Sequence, residues 1–272
     1  MVVALKSHSI HQHIRIAALA VDTYVSRLSA RTALYTELRL LLGGLEEPLT
    51  ASDYRELVVR QNRLSRASTS AREKLWTELK GRYLLSNENP LFCAFWREWR
   101  SCRAEQERDL TAYIMFALND RLVADLGTDW LYPYLRQAPA EVRVEDVLSF
   151  VNQSSTTHPE VGGWSYETRT RIARHYMASI RDFGLTRGKL TKTTIRPALY
   201  GAPVRLIVRV LHLAQVSPFK LIRARTFRLL AIDEGEVVSA LSELNKAEAL
   251  RFKMQGDVVE LDVEGPRLES KI

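Results

Sequence analysis

The amino-acid sequence predicts a mainly α fold of two helical subdomains, with winged-helix or helix-turn-helix-like units and short β-hairpins as wings. Apolar residues recur at helical spacing along most of the chain, and helix start and stop signals divide it into short segments. Residues 248–263 instead alternate around a turn, as a hairpin does. With 46% apolar residues in a chain of 272, one large domain or two ordinary ones can bury a core.

The first half is predicted to be a helical domain, residues 14–151, behind a flexible N-terminus at residues 1–13. A helix is expected over residues 14–42, because apolar positions continue until the glycine pair Gly43 and Gly44.

Two capping-box patterns follow in this half. The segments "TASD", residues 50–53, and "SARE", residues 70–73, each place a hydroxyl and a carboxylate three residues apart, so a helix is predicted to start at each. Residues 50–85 are therefore predicted to be helix-turn-helix-like. The stretch that connects the two helices contains no acid, and the arginines in and beside it are Arg60, Arg63, Arg66 and Arg72.

Residues 91–150 are predicted to be helical and are rich in aromatic side chains in mildly acidic surroundings. This combination indicates a hydrophobic core, because base-stacking platforms lie in positive grooves. The polar, turn-rich stretch 152–163 is the predicted linker, and a basic C-terminal domain is predicted over residues 164–272.

The C-terminal domain is predicted to begin with an amphipathic helix that is capped by Ser165 and stopped at Gly184. One side of that helix is apolar and the other is basic. The apolar side comprises Ile172, Tyr176, Ile180 and Phe183, and the basic side comprises Arg171, Arg174 and Arg181.

The rest of this domain is predicted to contain a first hairpin over residues 189–197, a helix that starts at Pro203, and another that starts at Pro218 behind Ser217. A final helix, residues 233–246, starts at Asp233 and leads into the hairpin at 248–263. Helix, turn, helix, helix, hairpin is the order of a winged-helix domain. The bases of these segments are Lys189, Lys192, Arg196, Arg205, Arg209, Lys220, Arg223, Arg225 and Arg228.

Charge is distributed unevenly along the chain. The net charge of +7 divides into +4 for residues 1–90, −4 for 91–163, +12 for 164–232 and −5 for 233–272. A stretch of 69 residues at +12 indicates a polyanionic partner, although the basic and acidic blocks could also dock on each other.

Signatures of catalysis and of cofactor binding are missing. The sequence contains no phosphate-binding glycine loop, no zinc-protease helix and no nucleophile elbow, and its two cysteines, Cys93 and Cys102, fit no metal or redox spacing. No apolar run reaches the length of a membrane span. We therefore expect a cytoplasmic, non-enzymatic protein without cofactor, metal or membrane contact.

Three segments resemble a known family: "NRLSRASTSAREKLWTELKGRYL" (62–84), "WSYETRTRIARHYMASIRDFGL" (164–185) and "FRLLAIDEGEVVSALSELNKAEALRFKMQGDVVELDV" (227–263). Together they resemble the BrxA family of the BREX bacteriophage-defence systems of bacteria. The resemblance implies a non-enzymatic, helical cytoplasmic protein, comparable with the antitermination factor NusB, that binds nucleic acid and in particular duplex DNA.

Charge and resemblance together predict a protein that binds double-stranded DNA mainly through phosphates and with little base readout. RNA binding and a role as an adaptor for other BREX proteins are the alternatives. The hairpin at 248–263 is expected to be a structural cap or a partner-facing edge, because acids match its bases. The predicted DNA-binding residues are Arg60, Arg63, Arg66, Arg72, Arg171, Arg174, Lys189, Lys192, Arg196, Arg205, Arg209, Lys220, Arg223 and Arg225.

Overall fold

A computed structural model describes residues 23–189 and 191–263, which form a mainly helical fold with two small antiparallel sheets. The predicted flexible segment 1–13, the first part of the helix predicted over 14–42, and the last residues of the predicted C-terminal domain lie outside this range.

Helices occupy most of the described chain. The α-helices of the N-terminal half are α1 (Tyr35–Leu42), α2 (Ala51–Arg55), α3 (Thr69–Tyr83), α4 (Pro90–Ser101), α5 (Glu105–Leu118), α6 (Arg121–Asp125), α7 (Tyr132–Arg136) and α8 (Val144–Gln153). Those of the C-terminal half are α9 (Tyr166–Asp182), α10 (Gly201–Leu213), α11 (Pro218–Leu221) and α12 (Glu234–Lys246). Turns of π-helix at Glu56–Arg60 and Leu126–Leu131 continue α2 and α6. Turns of 3₁₀-helix lie at Ser26–Ser29, Ser154–Thr156, Pro159–Gly163 and Arg225–Leu230.

Helix starts follow the predicted caps in most places. Thr50 accepts the Asp53 N–H at 3.2 Å, and Ser165 accepts the Thr168 N–H at 3.1 Å. Asp233 forms the capping box that starts α12. The start predicted at Ser70 is wrong by two residues, because Ser68 has extended backbone and its hydroxyl accepts the Ala71 N–H at 3.2 Å.

Two further predicted helices differ from the structure. The helix that contains Pro203 begins at Gly201, because proline is tolerated throughout the first turn, where N–H groups have no intrahelical partner. The prediction of a continuous helix over residues 14–42 is wrong for residues 23–25 and 30–34, and residues 26–29 form only a 3₁₀ turn. Over residues 30–34 the backbone bonds to other elements, since Arg82 donates to the Thr32 carbonyl oxygen at 2.9 Å and Ala33 N–H donates to Ser179 Oγ at 2.9 Å.

The first sheet has the order β1-β3-β2 and differs from the hairpin predicted over 189–197. Its strands are β1 (Glu141–Val142), β2 (Thr186–Arg187) and β3 (Lys192–Thr194). The β2–β3 pair starts closer to the end of α9 than the predicted hairpin does, because its turn begins at Gly188, which has a φ of +104°. A Cβ at Gly188 would lie 2.4 Å from the Thr191 carbonyl oxygen, so only glycine fits.

The second sheet is the predicted C-terminal hairpin, β4 (Arg251–Gln255) and β5 (Val258–Asp262). Gln255 lies opposite Val258 across a turn in which Gly256 has a φ of +57°. The prediction of its faces is also confirmed: Val259 and Leu261 are half-buried, whereas Val258 and Glu260 are exposed.

The hydrophobic core contains residues from both sides of the 152–163 segment. The apolar side of α9 is buried as predicted, and α9 packs on α8 and on the Ser26–Ser29 turn. Helix α10 packs on α4 and α5. Most aromatic residues of 91–150 belong to this core, including Phe92, Phe95, Tyr113 and Phe116, which confirms their predicted role.

A buried ion-pair network joins α10 to α4. Glu98 of α4 is 1% exposed, and its two oxygens accept from Arg205 Nε at 2.7 Å and Arg209 Nε at 2.6 Å. Glu107 of α5, also buried, accepts the backbone N–H of Ala202 at 3.1 Å. Two carboxylates therefore hold the first three turns of α10 against the N-terminal half.

We predict that Glu98→Gln lowers the free energy of unfolding by about 3–5 kcal/mol, because it leaves two largely buried guanidinium groups without a carboxylate. Urea unfolding followed by circular dichroism measures this. The control is Glu243→Gln, which removes a carboxylate 2.7 Å from Lys246 in an exposed pair and should change the free energy by less than about 1 kcal/mol. Equal effects of the two substitutions would contradict the role given to Glu98.

A second buried acid lies at the start of α6. Asp120 Oδ1 accepts the Val123 N–H at 3.3 Å, and Arg27 and Arg82 line the same small cavity. Burial raises the pKa of Asp120 to about 6, against the lowering effects of that N–H group and the two arginines. The folded state therefore keeps the Asp120 proton to a higher pH than the unfolded chain does.

We predict that Asp120→Asn becomes more stabilising relative to the wild type as pH rises from 4 to 7. In this window the folded wild type binds more protons than its unfolded chain, so wild-type stability falls with rising pH. Asparagine remains a good helix cap and does not titrate. The difference in unfolding free energy should grow by roughly 3 kcal/mol, from about two pKa units. Urea unfolding of both proteins across the range measures it, and a constant difference would contradict the prediction.

Candidate nucleic-acid interface

Most arginines of the basic block 164–232 pair with acids from the two acidic blocks. Arg205 and Arg209 engage Glu98, as described above. Arg225 forms ion pairs with Asp125 and, at 3.3 Å, with Asp129. Part of the excess positive charge of the block is thus matched inside the protein.

The acidic helix α12 takes up more of this charge. Arg196 pairs with Glu236, and Arg223 pairs with Glu234 at 3.0 Å. The Arg223 guanidinium also stacks 4.0 Å from the centre of the Phe219 ring. Arg196 and Arg223 are therefore bound to acidic side chains of α12.

The arginines of the helix-turn-helix-like segment mostly bind backbone carbonyls or an acid. Arg63 Nε donates to the Leu40 carbonyl oxygen at 3.3 Å and Arg63 also reaches the Gly43 carbonyl, beyond the end of α1. Arg72 donates to the Val59 carbonyl oxygen at 2.8 Å. Arg66 pairs with Glu37 at 2.6 Å. These contacts fix the loop between α2 and α3.

Lys192 is buried, at 6% exposure. Its ammonium donates to the Lys189 carbonyl oxygen at 2.8 Å and closes the β2–β3 turn. Burial and the nearby charge of Arg181 lower the pKa of Lys192, while Asp182 opposes this. Lys192 is therefore engaged within the turn and is not presented to solvent.

Some of the predicted bases remain available at the surface. Arg60, Arg174, Lys189 and Lys220 are exposed and have no carboxylate partner within the described part of the chain. Arg171 is also exposed, and it pairs with Glu167 at 2.9 Å one turn away on the same helix. An exposed pair of this kind is weak, so Arg171 can exchange its partner for a phosphate.

Three of the available bases belong to one surface, which we call the α9 face. It consists of Arg171, Arg174, Arg181, Arg187 and Lys189. The first three lie within about 80° on the solvent side of α9, and Arg187 and Lys189 are exposed on β2 and in its turn, which follow α9 directly in the chain. Its acids are Glu167 and Asp182, which pair with Arg171 and Arg181. Sequence reasoning missed Arg187, although it lies in an acid-free stretch.

The dimensions of this face suit a polyanion. Arg171 and Arg181 are ten residues apart, which is about 15 Å along a helix axis. Measured along the axis of a duplex, that length corresponds to about four base-pair steps at roughly 3.4 Å per step.

Metal sites and membrane-spanning helices are two further features that bear on function. Across residues 23–189 and 191–263, no group of three or more His, Cys, Asp or Glu side chains is arranged to hold a metal ion. Over the same residues, every helix is too short or too polar to cross a membrane.

Comparison with known proteins places the chain in a family. A protein-family model described as BrxA matches residues 22–208, which is more than half of the 272 residues. The chain belongs to the BrxA family. Membership implies a protein that is associated with a BREX system. A search of curated proteins found no match.

The BrxA match covers some parts of the chain and not others. It includes α4 with Glu98, the whole α9 face and the first residues of α10. It ends at residue 208, before α11, α12 and the β4–β5 hairpin. The assignment therefore rests on the region that carries the α9 face and not on the predicted wing.

Proposed function

We propose that this BrxA-family chain is a non-enzymatic, cytoplasmic DNA-binding component of a BREX phage-defence system, and that it binds duplex DNA mainly through phosphate contacts. The observation that carries the proposal is the α9 face, where five exposed bases stand against two acids. Six other arginines of the same block pair with carboxylates from outside it: Arg196, Arg205, Arg209, Arg223, Arg225 and Arg228. The acids of the α9 face, in contrast, are fewer than its bases.

The composition of the α9 face favours phosphate contacts over base readout. Guanidinium groups bind phosphate oxygens in a bidentate manner, and phosphate contacts position a protein without reading sequence. The exposed side of α9 carries no asparagine or glutamine that could pair with adenine. We therefore propose little sequence preference, with affinity that depends strongly on salt.

The winged-helix interpretation of the C-terminal elements is part of this proposal. The order α10, α11, α12 and a hairpin supports it. The charges argue against the hairpin as the main DNA contact, because Lys253 lies opposite Glu260 and Arg251 lies opposite Asp262. We propose that this wing is a structural cap or a partner-facing edge.

One observation supports the adaptor role as a second function. The hairpin exposes two apolar side chains beside its turn, Met254 at 40% and Val258 at 67%. Exposed apolar residues on a hairpin with two short strands are suited to contact another protein of the defence system. DNA on the α9 face and protein on the hairpin would occupy different surfaces.

We predict that replacing Arg174, Arg187 and Lys189 together with Gln weakens duplex DNA binding and flattens its salt dependence. The slope of log affinity against log salt should become shallower by about 0.9 for each lost contact, or roughly 2.7 for three. Fluorescence anisotropy with a 5′-labelled duplex of random sequence across a salt series measures both changes.

The matched control carries Gln at Lys246, Arg251 and Lys253, which removes the same charge from α12 and the hairpin. It should leave the salt slope nearly unchanged. Equal losses in the two variants would show that only net charge matters, and salt-insensitive binding by the wild type would refute phosphate contacts. Competition with duplex RNA tests the RNA-binding alternative, which requires RNA to displace DNA.

A further inference from the structure

A pocket of about 250 Å³ lies where the end of α1 meets α4 and α5. Three arginines line it, one from each helix: Arg39, Arg100 and Arg108. Gly43 and Gly44 form another wall, and Trp99 contributes an apolar surface. None of these residues belongs to the α9 face, so the pocket is a separate feature of the protein.

The three guanidinium groups are only partly neutralised by their neighbours. Arg39 Nη2 pairs with Glu105 at 2.6 Å, and both side chains are substantially exposed, at 43% and 60%. Arg100 Nη1 donates to the Leu45 carbonyl oxygen at 3.2 Å, and no acid among the described residues pairs with it. Asp109 accepts from the Tyr35 hydroxyl and also lies near Arg39 and Arg108. Burial raises the pKa of the Asp109 carboxyl group, and the charges of these two arginines oppose that effect.

Arg108 is the most informative of the three. Its guanidinium lies 5.5 Å from the centre of the Trp99 ring, and both side chains line the pocket. A negatively charged ligand in the pocket would therefore lie beside this guanidinium group.

The glycine wall gives an oxygen-rich ligand access to the backbone. Gly44 has a φ of +76°, and a Cβ built there would meet no atom within 4 Å, so the space above it is open. The pocket volume of about 250 Å³ is well above the roughly 10–15 Å³ that one water molecule needs on the same measure. It therefore accommodates a phosphate group with part of the molecule that carries it.

We infer that this pocket binds a phosphate group, supplied either by a free phosphorylated metabolite such as a nucleotide or by the backbone of a nucleic acid. Arg100 and Arg108 would donate to its oxygens, since planar guanidinium groups bind phosphate in a bidentate manner. Glu105 would repel the bound anion, because its carboxylate pairs with Arg39, the third arginine that lines the pocket. The inference does not depend on DNA binding by the α9 face.

The test is titration of the full-length protein with inorganic phosphate and with deoxyadenosine 5′-monophosphate, at constant ionic strength, by ³¹P NMR and isothermal calorimetry. Arg100→Gln and Arg108→Gln should each weaken phosphate binding by about tenfold, the effect of one lost charge-assisted hydrogen bond. Glu105→Gln should strengthen it by about threefold, because a repelling charge is removed. A purely structural role of these residues would not give effects of opposite sign.

The control is Arg97→Gln, which removes an exposed arginine of α4 that does not line the pocket. Its phosphate affinity should stay within about twofold of the wild type, since charges this exposed are screened. Circular dichroism checks that each variant folds. If Arg108→Gln does not fold, phosphate binding by Arg100→Gln alone tests the inference. No saturable phosphate binding, or equal losses in Arg97→Gln and Arg100→Gln, would overturn the inference.

Duplex DNA distinguishes the two sources of phosphate. If Arg100→Gln weakens DNA binding more than Arg97→Gln does, the pocket holds a backbone phosphate. If DNA affinity is unchanged while phosphate affinity falls, the ligand is a free phosphorylated molecule. Both results support phosphate binding in the pocket. The variant with Gln at Arg174, Arg187 and Lys189 should keep its affinity for phosphate even if it no longer binds DNA.

Discussion

Glu98 places two carboxylate oxygens in the core of the protein, and each accepts from an arginine of α10. Helix α10 is apolar around most of its circumference and must be buried, so its arginines at positions 205 and 209 enter the core with it. A buried guanidinium group is costly unless it is paired and hydrogen-bonded. Glu98 therefore determines which side of α10 faces α4.

The same requirement explains why the charge of the chain is distributed as it is. The block at +12 packs between blocks at −4 and −5, and Asp125, Asp129, Glu234 and Glu236 all pair with arginines of that block. Net charge along a sequence therefore overstates what a partner would encounter. The α9 face differs because its acids are few and lie on the same exposed surface as the bases they pair with.

Local features of the fold could be predicted from the sequence, whereas long-range pairs could not. The amphipathic α9, the caps at Thr50, Ser165 and Asp233, and the faces of the last hairpin depend on neighbouring residues and are confirmed. Helix was predicted over 30–34 because the apolar pattern continues there. The backbone instead bonds to Arg82 and Ser179, which are distant in sequence. The partners of Arg205 and Arg225 were hidden for the same reason, and so was the pocket at the end of α1, which three separate helices form.

The distance along the chain between Glu98 and its partners also sets an order of events during synthesis. Arg205 follows Glu98 by 107 residues, and Arg209 by 111. At a translation rate of about 5–20 residues per second, the acid leaves the ribosome roughly 5–20 s before its partners. During that interval the N-terminal helices can form locally, but their interface still contains an uncompensated charge and the apolar surface that α10 will cover. Completion of the core is therefore a late, post-emergence step, and the nascent chain is open to chaperones until α10 docks.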